Sequence, residues 1–228
     1  MTKFNWHATA QQKWDNNADF WNQNSQEMWD SGSRSTIIPF FQKYIRNGAT
    51  VLDVGCGDGY GTYKLNKAGY KACGIDLSEQ MIEKGKERGE SPNLSFIVGD
   101  LTSLPFQDEE FASVLAVNSL EWTEEPLQAL QEIKRVLASE GFACIAILGP
   151  TAKPRENCYP RLYGKDVICN TMMPWEFQKL AQEQGFHLID GMGVYKRGVN
   201  EKIIGQLSLE LQQALTFMWV FMFQKSNL

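Results

Sequence analysis

The residues with the clearest chemical potential lie in VLDVGCGDGYG, Val51–Gly61, where Asp53, Gly55, Gly57 and Gly59 alternate with other residues behind an apolar run. Glycine is needed where the main chain turns sharply or a ligand must approach it closely. A helix starting at such a turn also offers free backbone N–H groups. A dinucleotide loop has the spacing G-x-G-x-x-G, but counting from Gly55 the sixth position is Tyr60, which disfavours a pyrophosphate cradle. Asp76 follows Gly55 by twenty-one positions, in GIDLSEQM at the end of the next apolar run. A carboxylate there can accept hydrogen bonds from both hydroxyls of a ribose. Asp100 lies twenty-four positions beyond Asp76, in VGDLTSLPF. Beside a wall of Leu77, Met81 and Ile97, it can accept from the exocyclic amine of adenine while the N–H of Leu101 donates to the ring. Each feature also has a plainer reading: a glycine-rich turn, an Asp76 or Asp100 that only shapes its loop, and a Met81 that is core.

The elements that must hold these residues follow from the apolar pattern. Thr50–Val54, Lys71–Ile75, Leu94–Val98, Phe111–Val117 and Phe142–Leu148 are rich in Val, Ile, Leu, Phe and Ala without strict polar alternation, as befits strands covered on both faces. Between them, Tyr60–Ala68 runs into Gly69, and Ser78–Arg88 begins with a cap residue and runs into Gly89, so both are predicted helices. Glu125–Leu137 places Leu127, Leu130, Ile133 and Leu137 on one stripe behind a Thr123 cap. The alternation predicts an α/β fold with a doubly wound, Rossmann-like parallel sheet. Residues 1–49, with Trp6, Trp14, Phe20, Trp21 and Trp29 amid Asn and Gln, are expected to form a helical cap on a domain spanning 50–228. Gly149–Pro174, rich in proline, is expected to be a long loop or lid. After it come a helix opened by Pro174, a strand near His187–Tyr195, a helical stretch near Glu201–Ala214 and a last strand, Phe217–Phe223.

The 228 residues carry a formal charge of −5, with a pI near 5.2, which argues against a partner bound through its phosphate backbone. Five cysteines without C-x-x-C spacing or a nearby histidine pair make a disulfide framework or a metal site unexpected, and a reducing cytosol is the expected compartment. Cys73 and Cys144 are expected to pack as small hydrophobes. The N-terminus lacks the apolar stretch of a signal peptide and the late apolar run, Phe217–Phe223, is too short to cross a bilayer, so no membrane partner is expected.

Taken together and in order, DVGCGDG, GIDLSEQM, GDLTSLPF, FASVLAVNSLEW and RVLASEGF resemble the class I S-adenosylmethionine-dependent methyltransferases, particularly the small-molecule group that includes the ubiquinone and menaquinone biosynthesis enzymes. The resemblance runs from about Trp14 to Leu148. It implies a seven-stranded mixed sheet whose last strand is antiparallel, at the sheet edge, and S-adenosylmethionine as cofactor. Gly55, Cys56 and Gly57 would line its methionine part, Asp53 would hold the loop and the amino group, Asp76 the ribose, and Asp100 with Leu101 the adenine. Asn118 would lie under the sulfonium. From the N-terminal segment, Arg34 is a candidate partner for the methionine carboxylate and Trp14 for the sulfonium, by a cation–π contact; the alternative for Trp14 is an aromatic core.

The implied reaction is an in-line methyl transfer to an oxygen, nitrogen or carbon of a small molecule, in which alignment is the protein's main task. No catalytic residue is assigned. His7, His187, Glu121, Tyr159 and Tyr163 are the candidate bases, with Glu121 also readable as a solvated turn residue. NSLEW stands where amino-methylating DNA enzymes carry Asn-Pro-Pro-Tyr. The other readings of the chain are a regulatory protein that binds the cofactor without turnover and a nucleotide-dependent oxidoreductase.

Overall fold

The computed structural model describes residues 4–226. In chain order its elements are α1 (Trp6–Asp30), α2 (Ile37–Gln42), β1 (Thr50–Val54), α3 (Tyr60–Lys67), β2 (Lys71–Asp76), α4 (Glu79–Glu87), β3 (Leu94–Val98), β4 (Phe111–Val117), α5 (Pro126–Val136), β5 (Leu137–Leu148), α6 (Pro174–Glu183), β6 (Phe186–Tyr195), α7 (Glu201–Ile204), α8 (Leu209–Ala214) and β7 (Thr216–Lys225). The strands form one sheet in the order β3-β2-β1-β4-β5-β7-β6. The first five pair in parallel, and β7 runs antiparallel to both β5 and β6. The last strand is antiparallel, as the resemblance implies, but it enters between β5 and β6, and β6 takes the edge.

Strand side chains alternate between two cores, one on each face of the sheet. Leu52, Ile145, Ile147 and Phe221 pack with Leu130 and Ile133 of α5 and Phe177 of α6 on one face. Val51, Cys144, Ala146 and Val220 pack with Ile37 and Phe41 of α2, Leu65 of α3 and Ile82 of α4 on the other. This explains the unbroken apolar runs of the central strands β1 and β4 and of the end of β5, which are covered on both faces. Cys144 is fully buried and Cys73 packs against the first core, both as small hydrophobes.

Several local expectations change. The N-cap of α5 is Glu125, with Pro126 opening the helix, while Thr123 Oγ1 accepts from the Glu125 N–H at 3.2 Å and shapes the preceding turn. Leu127 is exposed and the buried stripe runs through Ala129, Leu130, Ile133 and Val136, because the chain enters β5 already at Leu137. The late helical stretch divides into α7 and α8. In the 149–174 segment Lys153–Tyr163 forms a 3-10 helix, and Cys158 and Cys169 are joined by a disulfide, contrary to the expectation from cysteine count. The two residues are eleven apart in a segment with no other cysteine, so only folding back of the loop could reveal the pair.

Among the described residues, no helix is long and apolar enough to cross a membrane. The twenty-five residues of α1 are polar on average, and the helix is strapped across the carboxyl ends of the strands by side-chain bonds. Ser78 Oγ donates to Asp15 at 2.5 Å, Ser25 Oγ donates to Asp58 at 2.5 Å, and Trp6 Nε1 donates to the Trp122 carbonyl at 2.8 Å.

Candidate active site

The sheet order reverses between β1 and β4, and the cleft where ligands bind open α/β sheets lies beyond the carboxyl ends of those strands. The turn after β1 is built for that place. Gly55, Gly57 and Gly59 all have left-handed backbones, with φ of 70°, 57° and 75°. A Cβ at Gly55 would meet Ser119 Cβ at 2.3 Å, so β1 and the turn after β4 touch only because the side chain is missing. At Gly57 nothing lies within 4 Å of where a Cβ would be, so its main chain faces open space. Gly55 and Cys56 donate their N–H groups to the Ile75 carbonyl at 2.8 and 3.0 Å, tying the turn to the end of β2.

Asp76 braces the turn as well as facing the cleft. Its carboxylate accepts from the Gly57 N–H at 2.9 Å and from the Ser78 N–H at 3.0 Å. Burial raises its pKa above the ordinary carboxylate value, against the lowering effect of these backbone donors. Asp53, in β1, is buried beneath the turn and accepts from Thr62 Oγ1 at 2.7 Å. Burial pushes its pKa up to about 7, although the Thr62 bond and the Arg34 charge oppose the rise. Asp58 fastens the turn to α1 through Ser25 and to the end of α4 through Arg88.

A cavity of about 180 Å³ lies beside this turn. Gly55, Asp76, Leu77, Asp100 and Leu101 line it together, which brings five of the sequence-predicted residues to one surface. The apolar wall is Ile75, Leu77 and Leu101. Met81 and Ile97 do not line the cavity: Met81 is buried in α4 and Ile97 packs against the first core. Asp100 accepts from the Thr102 N–H at 2.8 Å, which fixes its loop and leaves its second oxygen toward His7 Nδ1, 3.0 Å away. Sequence reasoning missed the roof, formed by Trp6, His7 and Ala10 of α1 with Trp122. The spacing of Trp6 and Ala10, one helical turn apart, was the available signal.

Cys56, Gly57, Asp53, Asn118, Arg34 and Trp14 lie outside the cavity lining. Burial drives the Cys56 thiol pKa well up, and its Sγ rests 3.5 Å from the Gly57 carbonyl. Asn118, just past β4, has φ of 52°, and its carbonyl accepts from Trp122 Nε1 at 2.8 Å. Trp14 meets Trp122 edge-on with ring centres 5.0 Å apart. The Arg34 guanidinium lies 5.0 Å from the Trp21 ring centre and 5.6 Å from that of Trp29. Burial lowers its pKa, opposed by the charges of Asp53, Asp58 and Glu121.

The residues present fit an adenosyl group with a short charged tail: two carboxylates on one apolar-walled cavity, and bare main chain at Gly57 next to it. Comparison with known proteins agrees. Residues 52–145 match the methyltransferase domain family. The chain is 36% identical over 129 residues to the demethylmenaquinone methyltransferase of Staphylococcus saprophyticus, covering 54% of this chain and 55% of that protein. It is 31% identical over 148 residues to the biotin biosynthesis bifunctional protein BioHC of Teredinibacter turnerae, covering 60% of this chain and 26% of that one. The chain thus spans about half, or less, of the curated relatives it matches. Among solved structures, a SAM-dependent methyltransferase from Methanosarcina mazei superposes with a TM-score of 0.64 at 19% identity, over 82% of this chain and 97% of the other, a likeness of fold. In its motifs, its cleft and these matches, the chain is similar over residues 52–145 to the methyltransferase domain family.

Proposed function

We propose that the protein transfers the methyl group of S-adenosylmethionine in line to an oxygen, nitrogen or carbon of a small molecule. The observation that carries this reading is the convergence of Asp76 and Asp100 on one cavity beside Gly55. Bound there, the cofactor supplies an electrophilic methyl on a positively charged sulfur. Asp76 would accept from the ribose hydroxyls, and Asp100 with the Leu101 N–H would read the adenine edge. The Gly55–Gly57 main chain would pass along the methionine part, with Arg34 toward its carboxylate and Asp53 toward its ammonium. Asn118 and Trp14 would stand near the sulfonium.

We assign residues 1–49 to a helical cap and 50–228 to the transferase domain, with 149–174 covering the acceptor side. Likeness to demethylmenaquinone methyltransferases supports a small aromatic acceptor over a macromolecule, as does the acidic charge balance.

Calorimetry with S-adenosylmethionine, S-adenosylhomocysteine and NADH tests the cofactor: binding of the first two without NADH is expected, and NADH binding alone would overturn the assignment. Labelled S-adenosylmethionine with a panel of phenols, amines, carboxylates, thiols and a reduced naphthoquinone tests turnover. Binding without transfer to any of them would favour a regulatory role.

A further inference from the structure

Ten large hydrophobic side chains are exposed among the described residues, and six of them stand on two segments: Tyr159, Leu162 and Tyr163 on 149–173, and Ile203, Leu209 and Leu211 on 196–215. Single exposed apolar residues are ordinary, but gathered ones mark a surface that meets another body. Sheet register brings the two segments together. Leu148, the last residue of β5, pairs with Met218, and Tyr195, the last of β6, pairs with Thr216, so both segments leave the sheet at the end where β7 begins. Lys196 Nζ donates to the Thr151 carbonyl at 2.6 Å, joining their roots. Since β1, β4 and β5 run in parallel, this is also the end that carries the Gly55 turn.

Charge divides the same way. The two segments hold seven Lys and Arg against four Asp and Glu, in a chain whose totals are 22 and 27. Lys153, Arg161, Lys165, Arg197 and Lys202 are all exposed. A cationic pole on an acidic protein is steered toward a negative surface and repelled by a second copy of itself. Lysine is depleted where proteins bury surface against one another, whereas its long stem can lie on apolar ground while the ammonium reaches a phosphate. Tyrosine favours a boundary with one wet and one apolar side. The Tyr159 and Tyr163 hydroxyls lie 3.2 Å apart, and both residues are exposed.

We propose that this pole docks on the surface of an anionic lipid bilayer, with the six apolar side chains entering the headgroup boundary and the exposed lysines and arginines meeting lipid phosphates. No spanning helix is required, and the described helices include none; binding of this kind rests on buried apolar area together with charge attraction. Docking holds the carboxyl end of the sheet, with its cavity, against the bilayer. The sequence expectation of no membrane partner rested on the length of apolar runs, whereas a docking surface gathered from two separate segments is visible only in the fold.

The test is flotation of the full chain with vesicles of phosphatidylcholine alone and of a two-to-one mixture of phosphatidylcholine and phosphatidylglycerol, at low salt and at about 0.5 M NaCl. At low salt, binding to the anionic vesicles is expected to exceed binding to the neutral ones by about tenfold or more, and high salt should reduce it by about fivefold or more. Leu162→Ser combined with Tyr163→Ser, and separately Arg161→Gln combined with Lys165→Gln, should each lower anionic binding about fivefold or more. Ile189→Ser, at an exposed position outside the two segments, should stay within about twofold of wild type. Equal binding to both vesicle types, no binding to either, or a loss in Ile189→Ser as large as in the Leu162 and Tyr163 variant would overturn the proposal. So would a dimer in light scattering that this variant abolishes while its vesicle binding is unchanged. Should that variant not fold, the Arg161 and Lys165 variant and the salt dependence of wild type decide.

Discussion

His7 Nδ1 lies 3.0 Å from a carboxylate oxygen of Asp100, joining the roof of the cavity to the acid expected to read adenine. His7 is on α1 and Asp100 follows β3, so the contact ties a helix appended at the N-terminus to the sheet. An adenine amine bound as proposed would compete with this imidazole for one oxygen. The pair is partly exposed, and such pairs are worth about 0.2–1 kcal/mol. His7→Ala is therefore expected to tighten S-adenosylhomocysteine binding by roughly two- to fivefold in calorimetry. Weaker binding would mean that His7 contacts the cofactor directly.

Asp76 has two tasks, since the oxygens proposed for the ribose also hold the Gly57 and Ser78 N–H groups. Asp76→Ala should weaken cofactor binding by about 1.5–3 kcal/mol, the usual value for bonds to a charged group. It should also lower the midpoint of thermal unfolding, because two N–H groups lose their acceptor. Asp76→Asn, which keeps an acceptor oxygen, should fall between. An affinity unchanged in both variants would remove Asp76 from the site.

The glycines of the turn differ in what they protect. Gly55→Ala adds a left-handed penalty of about 1–2 kcal/mol to a collision with Ser119, and should destabilise the fold as well as abolish binding. Gly57→Ala carries the backbone penalty without the collision, since its surroundings are open. Its unfolding free energy in urea should drop less than that of Gly55→Ala, with cofactor affinity still reduced. Equal loss of stability in the two variants would contradict this geometry.

Asp53 makes stability depend on pH in a direction opposite to a paired carboxylate. Its folded pKa, about 7, exceeds the unfolded value of 3.8, so the folded state binds more protons between them. Stability from this group is complete below about pH 4, declines as pH rises through about 7, and then levels off, a loss of up to ~4 kcal/mol. Urea denaturation at pH 5 and pH 8 should show this decline in wild type and a flatter profile in Asp53→Asn. Equal slopes would place Asp53 in a more polar setting.

The Cys158–Cys169 bridge closes a short loop beside Arg155. Closing a loop of this size limits the unfolded chain by about 2–3 kcal/mol. Reduction, or Cys158→Ser, should therefore speed tryptic cleavage at Arg161 and Lys165 while leaving S-adenosylhomocysteine affinity nearly unchanged, because neither cysteine lines the cavity beside Gly55. No change in cleavage would show that the 3-10 helix and Arg155 hold the segment unaided.

Local sequence was enough to place β1, β3 and β4 at their observed ends, because fully covered strands are written as unbroken apolar runs between turn residues. It was likewise enough to bring Gly55, Asp76 and Asp100 to one end of the sheet, since in parallel βαβ units successive strand ends share an edge. What lay between distant segments was decided only by packing. The course of α1 over the cavity, with His7 on Asp100, depends on bonds from Trp6, Asp15 and Ser25 to residues more than thirty positions away. The entry of β7 between β5 and β6 and the pairing of Cys158 with Cys169 are choices of neighbour that no local pattern encodes. Glu121 illustrates the difference most clearly: beside Trp122 and ahead of two further acids it reads as a solvated turn residue, yet the end of β5 and the 149–174 segment close over it and leave one oxygen unpaired. A residue's type and spacing fix what chemistry it can do, whereas burial and the partner it is denied are properties of the assembled chain.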